Sequence, residues 1–170
     1  APSKFAIALS LSRSRIACAK ASGQGTAMTD LAISEATRAD IPAMAKVVAD
    51  WEASLPWMKN SYDAQKIARF LYAAFDERQI FVTGDTANAY ISYDEATQRI
   101  GGLYSAVTGA GVGKALVDKV KEGRDFICLY THIPNEAAQK FYRREGFVVV
   151  EQCEQETPDA IPELRMDWRK

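Results

Sequence analysis

Three glycines at alternate positions, Gly109, Gly111 and Gly113, precede Lys114 in the stretch "YSAVTGAGVGKALVDKV". Glycine leaves backbone N–H groups unobstructed, and at a helix start such groups form an anion site that the helix dipole reinforces. That chemistry suits a phosphate. A nucleoside-triphosphate loop needs glycine five residues before the Gly-Lys pair and Ser or Thr after it, where this chain has Thr108 and Ala115. The dinucleotide fingerprint GxGxxG fails as well, because it meets Lys114 when started at Gly109 and Leu116 when started at Gly111. What remains fits either an anion cradle or a tight strand-to-helix turn that holds nothing.

Other side chains capable of chemistry lie nearby. Asn135 precedes "EAAQKFYRRE" and fits an N-cap. Tyr142 follows Phe141 on that amphipathic segment, where an aromatic is usually core. His132 is the only histidine; it fits a general base or, as the blander expectation, a surface residue at a strand end, sharing a face with Tyr130. Cys128, between Ile127 and Leu129, reads as core. Trp51, Trp57 and Tyr62 surround "SLPWM" as acceptor-site aromatics or as a packing cluster, and Lys114 reads as a phosphate ligand or a solvated first-turn lysine. Among the acids Glu35, Glu52, Asp94 and Glu95, no motif selects a base.

The elements that must position these groups follow from periodicity. "LAISEA" (31–36) is a strand, followed by a helix with Thr37 as N-cap and Ile41, Met44, Ala45 and Val48 on one face. A second helix covers about 63–75, and residues 79–84, 88–93 and about 99–106 form an antiparallel meander. The glycine loop then starts a helix that stops at Gly123, a natural C′ residue. A strand (125–131), a helix from Asn135 to Gly146, a strand "FVVVEQC", an acidic loop and a final strand "LRMDW" complete the order β-α-α-β-β-β-α-β-α-β-β. The fold class expected is α/β (α+β), with a mixed, mostly antiparallel sheet flanked by helices.

At 170 residues and 48% hydrophobic composition, one domain with a substantial core is expected. A net charge of -1 supplies no positive field for nucleic acid or a membrane surface, and no apolar run is long enough to span a bilayer. Three dispersed cysteines and one histidine offer neither a disulfide framework nor a metal set, which points to a reduced, cytoplasmic protein without a metal. Residues 1–29 carry basic residues and no acid. They fit a targeting segment, an added strand or, as the favoured reading, an extension upstream of a natural start at Met28, leaving 30–170 as the domain and 21–30 as the candidate linker.

The two stretches "GLYSAVTGAGVGKALVDKVKEG" and "ICLYTHIPNEAAQKFYRREGF" together resemble the GNAT superfamily of acetyl-CoA-dependent N-acetyltransferases. The second motif of that family is complete as Asn135, Ala138, Phe141, Tyr142, Gly146 and Phe147, and the element order agrees over 31–169. The resemblance implies that the backbone of Gly109, Ala110, Gly111, Val112, Gly113 and Lys114 holds the pyrophosphate of acetyl-CoA, with Thr108 at the start of the loop as a further cofactor-binding residue. It implies that Leu103, Tyr104 and Ser105 pair with the pantetheine arm as a strand would, and that Asn135 meets the same arm. Tyr142 would protonate the leaving thiolate after direct attack by a small-molecule or peptide amine. A homodimer is left open by the resemblance. Thr108 stands where the family has Arg or Gln, and the approach from Tyr104 to Thr108 is about two residues shorter than the family pattern. A protein of the same fold that binds or senses CoA without turnover is therefore the alternative.

Overall fold

A computed structural model describes residues 32–58, 61–153 and 161–170. The N-terminal extension, the start at Met28, the linker at 21–30 and most of the acidic loop lie outside these described residues. Among the described residues, four α-helices and seven strands follow in the order β1 (Ile33–Glu35), α1 (Ile41–Ala53), α2 (Ala64–Ala74), β2 (Gln79–Thr83), β3 (Ala89–Asp94), β4 (Arg99–Ser105), α3 (Val112–Lys121), β5 (Phe126–His132), α4 (Glu136–Arg144), β6 (Val148–Cys153) and β7 (Glu163–Arg169). A 3-10 turn, Arg38–Asp40, leads into α1, and a second, Phe75–Glu77, follows α2. The expected element order is the observed one.

Local chemistry fixes the boundaries. Thr37 caps through Asp40, whose carboxylate accepts from the Thr37 backbone at 2.7 Å and hydroxyl at 2.9 Å. Asp63 accepts from the Lys66 N–H at 2.7 Å and starts α2. Gly123 and Gly146 end α3 and α4 at φ of 72° and 87°, a region that L side chains avoid.

The sheet order is β1-β2-β3-β4-β5-β7-β6, and every neighbouring pair is antiparallel except β4 with β5. Strand alternation sends side chains to two separate cores. One, on the α3 and α4 side, contains Leu103, Leu116, Ile127, Leu129, Phe141 and Tyr142; the other, on the α1 and α2 side, contains Met44, Trp51, Leu71, Tyr90 and Tyr104. Cys128 is buried, as its apolar neighbours predict.

The β4–β5 junction opens a gap in the sheet. These strands register only at Arg99↔Cys128 and Ile100↔Leu129. Beyond that point β3 still follows β4 as far as Ser105, and β7 follows β5 as far as His132. The two strands therefore part into a wedge. Its origin is a bulge: Tyr93 faces Ile100 while Ser92 faces Gly102, so Gly101 is an extra residue where β4 leaves β5. Gly102 allows the ring of Tyr104 to fold back over it, since a Cβ there would lie 2.6 Å from Tyr104 Cε2.

Candidate active site

A cavity of about 310 Å³ opens at the end of β4, lined by Leu103, Ser105, Val107, Thr108, Gly109, Gly111, Val112, Gly113, Lys114, Phe141 and Arg144. Most of the predicted cradle therefore comes together around one space. Gly109 and Gly111 have φ of 79° and 74°, and a Cβ on either would meet nothing within 4 Å. Conformation requires glycine at both, and its absent side chain leaves the backbone open to a ligand.

Gly111 is the N-cap of α3 and supplies no side-chain acceptor. The first intrahelical bond runs from Ala115 N–H to Gly111 C=O at 3.0 Å, so the amides of Val112, Gly113 and Lys114 have no acceptor inside the helix. They sit at the positive end of the helix dipole, facing a cavity. Gly113 has a different role: a Cβ there would come within 3.3 Å of the Phe141 ring, so it sets how closely α3 approaches α4.

Two cations border the cavity. Lys114 pairs with Asp118 at 2.5 Å, and that hydrogen-bonded carboxylate raises the ammonium pKa above its usual value. Arg144 lies over Phe141 at 5.4 Å from the ring centroid and contacts Glu145 at 3.2 Å. Val107, Phe141 and Arg144 were not singled out from the sequence as lining residues. Counting i, i+3 along α4 puts Phe141 and Arg144 on one face and was the available signal for that pair.

Tyr104, Ala110, Asn135 and Tyr142 do not line this cavity. Tyr104 points to the opposite face of the sheet, stacked on Tyr90 at 5.4 Å and edge-on to Trp51 at 5.4 Å. Alternation along β4 explains this, because Leu103 and Tyr104 cannot share a face. Tyr142 lies in the core beside Phe141 and Phe147, with ring centroids 5.2 and 5.5 Å away. Asn135 accepts the Ala138 N–H at 3.2 Å as the cap of α4, while its buried Nδ2 has no hydrogen-bond partner among the described residues. That amide is a donor left for a ligand.

On the other side of the wedge, the structure corrects the expectation of a surface histidine. His132 is 5% exposed, with Nδ1 3.3 Å from Oε1 of Glu163, itself 2% exposed. Sequence spacing did not link these two residues, which meet only through the β5–β7 register. Trp57 packs edge-on to the His132 ring at 5.8 Å, and Trp51 lies 6.5 Å from Trp57. Tyr62 instead packs against Phe70 at 5.8 Å. Glu52 is buried at 1% exposure, with Oε2 accepting the Tyr62 N–H at 3.0 Å.

No family model matches the chain. It is 25% identical over 144 residues to the peptidyl-lysine N-acetyltransferase YiaC of Escherichia coli (strain K12), covering 80% of this chain and 95% of that protein. Among solved structures, a GCN5-related N-acetyltransferase from Rhodopseudomonas palustris matches with a TM-score of 0.67 at 15% identity, over 86% of this chain and all of that one (100%). The putative acetyltransferase yncA of Salmonella typhimurium, solved with its cofactor acetyl-CoA, matches with a TM-score of 0.62 at 15% identity, over 82% of this chain and 93% of that one.

Proposed function

We propose that the chain is an N-acetyltransferase of the GCN5-related (GNAT) superfamily and that it carries an acetyl group from acetyl-CoA to the side-chain amine of a peptidyl lysine. The observation that carries this reading is the pair of positive-φ glycines at the start of α3, opening beside the unpaired edge of β4. Pyrophosphate binding falls to the amides from Gly109 to Lys114, and Thr108 adds a hydroxyl but no charge. The backbone of Leu103 to Ser105, which has no β5 partner, hydrogen-bonds the extended pantetheine arm as a strand neighbour would. Asn135 Nδ2 donates to the same arm.

In the transfer itself, backbone N–H groups along β4 stabilise the oxyanion that forms when the amine attacks the thioester carbonyl. Tyr142 supplies the proton to the departing thiolate; its place on α4 and the motif around it support that role. The lysine acceptor rests on the likeness to the curated relative, whose printed activity is on peptidyl lysine.

Acetyl-CoA at about 100 times its Kd is expected to add about 2.7 kcal/mol of stability. In a domain of this size that raises the melting temperature by about 5–10 °C, read by differential scanning fluorimetry. A lysine-containing peptide should then release free CoA, and Tyr142→Phe should lower that turnover far more than it lowers cofactor binding. A melting shift with no CoA release from any amine in a broad panel would instead support the non-catalytic reading, which Thr108 favours. No shift at millimolar acetyl-CoA would overturn both.

A further inference from the structure

Strand β5 ends on the only histidine of the sequence, and the fold buries it at the wedge. His132 lies three residues beyond Leu129, the last residue of β5 paired with β4, and Leu103 lies three beyond its partner Ile100. The imidazole is thus level with the part of β4 whose backbone edge is unpaired. It faces the same side of the sheet as Tyr104, to which a relay of rings joins it: His132 to Trp57 at 5.8 Å, Trp57 to Trp51 at 6.5 Å, and Trp51 to Tyr104 at 5.4 Å. From β7, Glu163 comes within 3.3 Å of Nδ1.

We infer that His132 is the base that takes the proton from the acceptor amine, and that Glu163 is the residue that positions it. This inference rests on the acetyl-transfer reading. A primary ammonium has an ordinary pKa of about 10.4 and is inert until it loses a proton, whereas a neutral imidazole accepts one near neutral pH. With Nδ1 turned to Glu163, Nε2 is the nitrogen that exchanges the proton.

The step balances. The ammonium N–H bond breaks and its proton passes to Nε2. The freed lone pair forms the N–C bond to the thioester carbonyl, and the C–S bond then breaks with its electron pair on sulfur. Tyr142 gives its proton to the thiolate, the second nitrogen proton, lost as the amide forms, replaces it, and His132 passes the first to solvent, so the net release is one proton. A carboxylate beside an imidazole is also a common way to fix its tautomer and orientation.

Several other groups share the neighbourhood of the imidazole. Tyr130 lies two residues back on β5, Arg165 stands opposite Tyr130 on β7, and Cys153 stands opposite Glu163 on β6. Burial pushes up both the Tyr130 hydroxyl and the Cys153 thiol, so neither competes as a base at neutral pH. Helix α1 contributes the buried Glu52, whose charge acts on Tyr90 and one of whose oxygens accepts the Tyr62 N–H.

A sole histidine gives a single imidazole signal, so the full chain labelled at histidine and glycine allows a direct test by NMR. Acetyl-CoA alone is expected to move the signals of Gly109, Gly111 and Gly113 and also that of His132. In Glu163→Gln the His132 titration midpoint should fall by at least about half a pH unit, since the carboxylate that favours the imidazolium is gone. Glycine signals that move while the imidazole responds to neither acetyl-CoA nor Glu163→Gln overturn the dyad and leave the acetyl-transfer reading standing. Glycine signals that stay still overturn that reading, and the dyad with it.

With a lysine-containing peptide as acceptor, His132→Gln should lower kcat at least about 100-fold. It should also abolish the acid limb of the pH–rate profile, with the KM for acetyl-CoA within about twofold of wild type. In Glu163→Gln, which keeps the imidazole, the limb should persist and move to lower pH. An unchanged profile in both variants overturns the assignment.

Discussion

Gly111 and Gly123 have nearly the same φ, 74° and 72°, and a Cβ on either would meet nothing within 4 Å. Only their places differ: Gly111 opens α3 at the cavity, and Gly123 follows the end of the same helix. Alanine at either should cost about 1–2 kcal/mol through the left-handed conformation. Gly111→Ala should also weaken acetyl-CoA binding at least about tenfold, because the new methyl crowds the backbone that a phosphate must approach. Calorimetric titration of the two variants checks this; equal affinity would mean the loop is a turn without a ligand. At this scale the sequence was legible where spacing alone decides, as in the alternate glycines. It was not legible where direction decides: Phe141 and Tyr142 are adjacent, yet Phe141 lines the cavity and Tyr142 does not. His132 and Glu163 meet only through a strand register that no local spacing announces.

Among the elements, the turn from β3 to β4 brings Gly101 to its bulge, and Asp94 helps to hold that turn. Its carboxylate accepts the Thr97 N–H at 3.2 Å and lies 3.5 Å from the Arg78 guanidinium. Burial pushes the Asp94 pKa up, but hydrogen bonds from Thr97 and the charge of Arg78 outweigh that and hold it below the usual carboxylate value. A carboxylate depressed in the folded state stabilises above its unfolded pKa of about 3.9, and the contribution is lost as pH falls through the lower folded value. The stability gap between wild type and Asp94→Asn should therefore be constant near neutrality and shrink as the pH falls below about 4. Urea denaturation across that range reads it, and a gap independent of pH would remove the charge from the explanation. Elements were the most legible level, because helix and strand periods run through nearly every segment. The bulge escaped because it depends on how two strands pair, not on either one alone.

At the scale of the molecule, the sheet separates two cores that, among the described residues, share no side chains. Leu116 on one face and Met44 on the other are both fully buried. Each alanine substitution should cost about 2–5 kcal/mol. The double variant should lose the sum to within about 0.5 kcal/mol, as distant sites do. Denaturant titration with two optical signals checks both the additivity and the single transition expected of one domain; two separate transitions would show the halves unfolding independently. The rungs Arg99↔Cys128 and Ile100↔Leu129 are the whole registered join between the strands before the glycine loop and those after it. On the proposed reading, acetyl-CoA lies along the open part of that seam as a borrowed strand. Each catalytic cycle then closes the sheet on arrival of the substrate and reopens it on departure of the product, so the last hydrogen bonds of the fold belong to the substrate.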